Sequence, residues 1–162
     1  MSGFQAVIFD MDGVLVDSEP LFFNAINRLL VKEGTSPVTE DENQILLGTT
    51  VEETWGRLQE MRSLPQSLSY YLERYDAMVR QVLERELRPQ PGVRRLLGAL
   101  RDRRLKAAVA SSSLRSWVDL KLTILGLEGA FDAVLGGDDV TRGKPEPDIY
   151  LQAAQRLGLW PQ

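Results

Sequence analysis

A chain of 162 residues that is 43% hydrophobic and 26% charged is long enough for one domain with a real core, and has the composition of a soluble globular protein. It contains no cysteine and no histidine, which excludes a disulfide framework, thiolate metal sites, histidine triads and histidine-ligated zinc, and leaves carboxylate, hydroxyl and amine chemistry. The net charge of −4 argues against nucleic acid as a main partner. No apolar run approaches the ~20 residues of a membrane span, and no basic-then-apolar leader stands at the N-terminus, so no membrane partner is expected and the cytoplasm is the expected location.

The run Ala6-Val7-Ile8-Phe9 breaks off into Asp10-Met11-Asp12-Gly13. It predicts a buried strand within residues 4–10 that ends at a sheet edge, where open α/β sheets bind their ligands. Two carboxylates with one residue between them repel each other unless something positive lies between. Mg²⁺, a hard ion that takes oxygen ligands, is the ordinary answer. An ionised Asp beside a cation can act as a nucleophile on phosphorus. The second Asp can give a proton to a leaving oxygen and later take one from water. Gly13 lets the backbone turn tightly and approach a ligand. Taken alone, the short pattern fits a solvated Asp-Gly turn equally well, so the rest of the chain decides.

Asp17-Ser18-Glu19-Pro20 predicts a helix start with Ser18 as its cap. Leu21, Ala25, Leu29 and Phe22, Ile26, Leu30 then recur at helical spacing up to Gly34. Thr39–Glu42 and Thr50–Glu53 have the form of capping boxes, with Gly48 closing the helix between them. The second box opens a helix carrying Trp55, Leu58 and Met61 that Pro65 ends. A longer helix, about 67–87, carries Leu68, Leu72, Tyr75, Met78 and Val82. Residues 16–87 therefore read as an all-helical insert placed straight after the first strand. The insert carries a net charge of −6 against +2 for the remainder, and the excess acid reads as a solvated helical surface.

Pro89-Gln90-Pro91-Gly92 marks the return to the first domain. Val93, Leu96, Leu97 and Leu100 form one helical face. Leu105 to Ala110 predicts a second strand, ending in Ser111-Ser112-Ser113, and a helix with Trp117, Leu120 and Ile124 follows to Gly126. Phe131 to Leu135 predicts a third strand, ending in Gly136-Gly137. Gly143-Lys144-Pro145-Glu146-Pro147-Asp148 then leads into a last helix with Ile149, Tyr150, Ala153 and Leu157, closed by Gly158. This alternation predicts an α/β fold with a parallel sheet. Three clusters fall at the carboxyl ends of its strands: Asp10/Asp12, Ser111/Ser112 and Lys144. Serine hydroxyls and backbone N–H groups at a strand-to-helix turn suit phosphate oxygens, and a lysine adds a point charge against the nucleophile and the phosphoryl group.

In these stretches the chain resembles the haloacid dehalogenase superfamily, in its helical-cap phosphatase and beta-phosphoglucomutase-like branch. Phe9-Asp10-Met11-Asp12-Gly13-Val14-Leu15-Val16-Asp17-Ser18-Glu19-Pro20 is similar to that branch's first motif, Val109-Ala110-Ser111-Ser112-Ser113 to its second, and Gly143-Lys144-Pro145-Glu146-Pro147-Asp148-Ile149-Tyr150 to its third. The resemblance covers essentially the whole chain. It implies a Rossmann-like catalytic core over residues 1–15 and 88–162, with a mobile helical cap over 16–87 that closes on the substrate and excludes water. It further implies Asp10 as the nucleophile that becomes an aspartyl phosphate and ligates Mg²⁺, and Asp12 as general acid/base with its backbone carbonyl on the metal. Ser111, the Ser112 N–H and Gly13 would meet the phosphoryl group, and Lys144 would neutralise charge between it and Asp10. Gly48, Thr49 and Thr50 lie where cap residues often face the substrate. The implied activity is Mg²⁺-dependent hydrolysis of a small phosphorylated metabolite such as a sugar phosphate. A phosphomutase and an inactive remnant that binds phosphate or a partner chain are the alternatives.

Family members carry a fourth, acidic motif after a fourth strand that lies beside the first and completes the Mg²⁺ site. It normally follows the helix that here ends at Gly158. The expectation is therefore a chain truncated before that motif, its sheet incomplete at the C-terminal side, with an open edge on the first strand through which it self-associates. Asp138 and Asp139 precede the third motif and are expected in a loop or capping role.

Overall fold

The structure, a computed structural model, describes residues 3–46 and 49–160. The chain divides into two compact units, Met1–Glu19 with Leu87–Gln162, and Pro20–Glu86. The first unit is built on a parallel sheet in the order β1 (Ala6–Phe9), β2 (Lys106–Ala110), β3 (Ala133–Leu135). Ala6 is in register with Lys106 and Phe9 with Val109, while Ala108 pairs with Ala133 and Ala110 with Leu135. The fold is thus α/β with an all-helical insert after the first strand, as the alternation predicts. Among the described residues β1 has a strand on one side only.

β3 starts two residues later than expected. The Asp132 N–H donates to the Ala107 carbonyl at 2.7 Å, and the Asp132 carboxylate accepts from the Ala107 N–H at 2.8 Å. A side chain thereby replaces a backbone rung, and regular pairing begins only at Ala133. One face of the sheet presents Ala108, Ala110, Ala133 and Leu135, which form a buried cluster with Ile149, Ala153 and Leu157 of α7 (Asp148–Arg156). The alternate positions Ala107 and Val109 are buried as well, and α5 (Val93–Asp102) and α6 (Arg115–Leu125) contact β2 and β3. Both faces are covered, as a parallel sheet requires. The buried side of α6 is Val118, Lys121, Leu122 and Leu125; the stripe expected from Trp117, Leu120 and Ile124 is half-buried. Both stripes have helical spacing, and a lysine in the buried one hides it from a hydrophobicity pattern.

The second unit holds most of α1 (Glu19–Lys32), then α2 (Glu40–Leu46), α3 (Val51–Arg62) and α4 (Leu68–Glu86). Both capping boxes form: Thr39 with Glu42, and Thr50 with Glu53. α3 stops before Pro65, because Ser63 takes the left-handed conformation at φ 50° and returns its N–H to the Gln59 carbonyl. Trp55 stacks on Tyr71 with ring centroids 5.6 Å apart, and both rings are fully buried. Met61, expected in that core, is exposed. No helix among the described residues is long and apolar enough to cross a membrane.

The glycines after β3 are required by close approach. A Cβ on Gly136 would lie 2.3 Å from the Arg115 nitrogen, and one on Gly137 2.5 Å from the Ser112 carbonyl oxygen. The loop leaving β3 thus presses its backbone against the loop leaving β2, and the Gly137 N–H donates to the Ser113 carbonyl at 2.8 Å. Gly137→Ala is expected to destabilise the protein by ~1–3 kcal/mol through overpacking. Gly129→Ala, where nothing lies within 4 Å, is expected to cost far less. Denaturant midpoints of the two variants check this.

Asp138 and Asp139 brace the same loop. Asp138 accepts the Arg115 N–H at the start of α6 at 2.6 Å, and Asp139 accepts the Gly136 N–H at 2.8 Å and pairs with Arg156 at 3.1 Å. Burial works against the Asp139 charge, but the Gly136 N–H and the two arginines Arg156 and Arg115 hold its carboxyl below the usual range. A depressed carboxyl contributes stability that is full above its unfolded value near ~3.9 and is lost as pH falls through the folded value. Asp139→Asn is therefore expected to be less stable than the parent at neutral pH, with the gap closing as pH falls below about 4. Urea unfolding across that range measures it.

Candidate active site

β1 delivers the first acid. Phe9, buried at the strand end, packs edge-on against Phe131 with centroids 6.0 Å apart, which anchors the backbone from which Asp10 leaves the sheet. The Asp10 Oδ1 accepts the Met11 N–H at 2.8 Å and pairs with Lys144 Nζ at 2.9 Å. Both bonds fall on one oxygen, and Oδ2 takes no protein donor among the described residues. Lys144 also donates to the Ala110 carbonyl at the end of β2 at 2.9 Å and lies over the Tyr150 ring, 5.2 Å from its centroid. Burial works against its charge, but the bond to Asp10, with Tyr150 beside it, keeps the ammonium above the ordinary lysine range.

The chain then turns tightly. Met11 is fully buried, and its carbonyl accepts from Leu15 at 2.9 Å and Val16 at 3.1 Å. Gly13 sits at φ 78° with its N–H on the Val16 carbonyl at 2.7 Å, a conformation that glycine adopts without steric cost. Asp12, inside this turn, is wrapped by three donors. Lys121 Nζ reaches Oδ1 at 2.5 Å, the Ser18 hydroxyl donates to the same oxygen, and the Ser113 hydroxyl donates to Oδ2 at 3.1 Å. Burial opposes the charge of Asp12, but the bonds from Lys121, Ser18 and Ser113 outweigh it and hold the carboxyl below its ordinary value.

At the end of β2, Ser111 is buried; its N–H donates to the Leu135 carbonyl at 3.1 Å and its hydroxyl accepts the Ser113 N–H at 3.1 Å. Ser112 is exposed, its carbonyl underneath Gly137. The first and third motifs therefore meet directly through Asp10 and Lys144, and the second joins them through Ala110 and Ser113. Thr49 and Thr50 spend their hydroxyls within the helical unit: Thr49 on the Leu46 carbonyl and Thr54, both at 2.7 Å, and Thr50 on the cap of α3. Gly48 lies outside the described residues. Three partners of Asp12 escape sequence reasoning. Ser18 reads as a helix cap, Ser113 as the third of a triplet, and Lys121 as one lysine among many. The available signal was its place on the Val118-Leu122-Leu125 stripe, where a lysine is unexpected.

Among the described residues no group of three or more acids is arranged to hold a metal ion. What the turn offers is one unengaged carboxylate oxygen on Asp10 and the Asp12 carbonyl, since both Asp12 side-chain oxygens are engaged. Mg²⁺ characteristically keeps several waters and takes one or two carboxylates plus substrate phosphates, so this sparse oxygen set fits it.

The sequence model of the haloacid dehalogenase-like hydrolases matches residues 7–162. The chain is 38% identical over 158 residues to a phosphorylated carbohydrates phosphatase of Thermotoga maritima, covering 98% of this chain and 73% of that protein. It is 32% identical to hexitol phosphatase B of Escherichia coli, covering 96% of this chain and 71% of that protein. A crystal structure from Thermotoga maritima, for which the name beta-phosphoglucomutase is only proposed, superposes with a TM-score of 0.91 at 38% identity, covering 98% of this chain and 73% of that one. The chain belongs to the haloacid dehalogenase-like hydrolase family.

Lys144→Met would leave the Asp10 carboxylate without its cation and the Ala110 carbonyl without its donor. Bonds to charged groups contribute ~1.5–3 kcal/mol, and partial exposure of the pair reduces this, so a loss on the order of 1–2 kcal/mol is expected. Urea unfolding of Lys144→Met beside the parent measures it.

Proposed function

We propose that the protein is a Mg²⁺-dependent phosphatase that hydrolyses a small phosphorylated metabolite, a sugar phosphate by preference, through an aspartyl phosphate on Asp10. The observation that carries this reading is the pairing of Asp10 with Lys144 at 2.9 Å, two residues from a second acid held by a separate set of donors. The names of the two relatives, a phosphatase of phosphorylated carbohydrates and a hexitol phosphatase, support the substrate class.

In this reading the Asp10 carboxylate attacks phosphorus, and the bond from phosphorus to the sugar oxygen breaks as Asp12 gives that oxygen a proton. Water then attacks the phosphorus of the aspartyl phosphate while Asp12 takes its proton, and inorganic phosphate leaves. Lys144 offsets the charge gathered between nucleophile and phosphoryl group. The Ser111 hydroxyl, the Ser112 N–H and the Gly13 turn hold the phosphoryl oxygens. The Asp10 carboxylate and the Asp12 carbonyl would hold Mg²⁺, which would supply further charge compensation there. The chemistry belongs to residues 1–15 and 88–162, and the helical insert acts as the cap that governs substrate choice.

A phosphomutase is the second reading, suggested by the name proposed for the Thermotoga maritima structure. It needs the same groups but keeps water from the aspartyl phosphate, so free phosphate and isomerised sugar phosphate distinguish the two products. Phosphate release from hexose and hexitol phosphates, with and without Mg²⁺, is the test. Asp10→Asn is expected to abolish turnover and Asp12→Asn to slow it by ~10²–10⁴-fold. Asp10→Asn within tenfold of the parent would overturn the assignment of the nucleophile.

A further inference from the structure

Lys121 is a charged side chain with no exposed surface, set in α6 beside Val118, Leu122 and Leu125. Its Nζ lies 2.5 Å from Oδ1 of Asp12 and 3.4 Å from the Ser18 hydroxyl. Stability gives little reason to keep such a group, because replacing a buried ion pair by apolar residues of similar volume is often neutral or stabilising. What the pair does supply is direction. A carboxylate whose two oxygens have equal partners can rotate between equivalent states. Here Oδ1 carries an ammonium and a hydroxyl from inside the fold, while Oδ2 has one hydroxyl, Ser113, at 3.1 Å.

We propose that Lys121 is the positioning residue of Asp12: by holding Oδ1 from within the core, it leaves Oδ2 as the oxygen that exchanges protons with the substrate. This rests on the phosphatase reading and deepens it. Asp12 rests ionised, so Oδ2 first takes up a proton from solvent; in the first half-reaction that proton passes to the sugar oxygen as its bond to phosphorus breaks. In the second, Oδ2 takes one proton from the water whose oxygen bonds to phosphorus as the bond to Asp10 breaks. Lys121 touches neither substrate nor phosphoryl group in either step; it fixes where Oδ2 stands. A displacement of about 1 Å at such a group costs on the order of 10²-fold in rate.

The test is a double-mutant cycle of Lys121→Met and Asp12→Asn, read in kcat, in KM and in Tm. Methionine keeps the length of the side chain and removes the charge. Lys121→Met is expected to lower kcat by ~10–100-fold with little change in KM, and to lower Tm, because it leaves the half-buried Asp12 carboxylate without its cation. In the Asp12→Asn background the same substitution is expected to change kcat less than twofold, because Lys121 acts only through Asp12. Asp12→Asn alone is expected to lower Tm, by removing the anion that faces a buried ammonium, and adding Lys121→Met is expected to restore it. If Lys121→Met leaves kcat intact, or costs the same factor in both backgrounds, the positioning role is overturned and the phosphatase reading stands. Additive Tm changes overturn the ion pair itself. No turnover by the parent, or none lost in Asp12→Asn, overturns the phosphatase reading and this role with it.

Discussion

Two carboxylates one residue apart at the end of a strand repel each other, and that repulsion is the constraint around which the first unit is arranged. Each acid has its own lysine. Asp10 is met by Lys144 at 2.9 Å and Asp12 by Lys121 at 2.5 Å. The lysines arrive from different parts of the chain, one from the loop between β3 and α7, the other from the buried side of α6. Because Lys144 also bonds the Ala110 carbonyl, the ends of β1 and β2 and the segment after β3 are drawn to one point. The acid pair and the sheet are therefore mutually dependent: the crossovers deliver the cations, and each cation faces one acid.

The two acids are nearly equal in exposure, 41% for Asp10 and 38% for Asp12, so burial does not separate their roles. Their donors do. Asp10 is bonded on one oxygen and, among the described residues, keeps the other unengaged, which suits the attacking role proposed for it. Asp12 is held at both oxygens by side chains, which suits the proton-transfer role proposed for it. The surrounding loops are held with the same economy of space. Gly136 and Gly137 let the backbone after β3 lie against Ser112 and Arg115, and Asp138 and Asp139 close the remaining N–H groups.

The helical unit is organised on a different principle. Its core is aromatic, with Trp55 stacked on Tyr71 and Tyr75 close by, and its helix starts are closed by two Thr-Glu capping boxes. It supports its own fold from its own residues, and Thr49 and Thr50 are engaged there. A module stabilised in this way can change its exposed residues without disturbing the acids and lysines of the other unit.

The order of strands and helices, the helical insert and the two capping boxes were all legible in the sequence. Each is a local matter of period, cap and turn, settled by neighbours within a few residues. The meeting of the three motifs was legible too: Asp10, Asp12, Ser111 and Lys144 each stand just after an apolar strand or the loop that leaves it, and parallel strands bring such ends together. The sequence also posed the problem of the paired carboxylates, but not the part that lysines play in meeting it: each acid has a lysine of its own. Lys121 could not be assigned, since the choice between the Trp117-Leu120-Ile124 and Val118-Leu122-Leu125 sides of α6 depends on which side meets the sheet, and periodicity is blind to that. Ser18 and Ser113 were visible only as a cap and the end of a triplet. Which atom a hydroxyl faces is decided by packing across more than a hundred residues of chain, as the bond from Ser113 to Asp12 illustrates. Local chemistry picked out the two acids and the lysine after the third strand; only the tertiary structure decided what holds them.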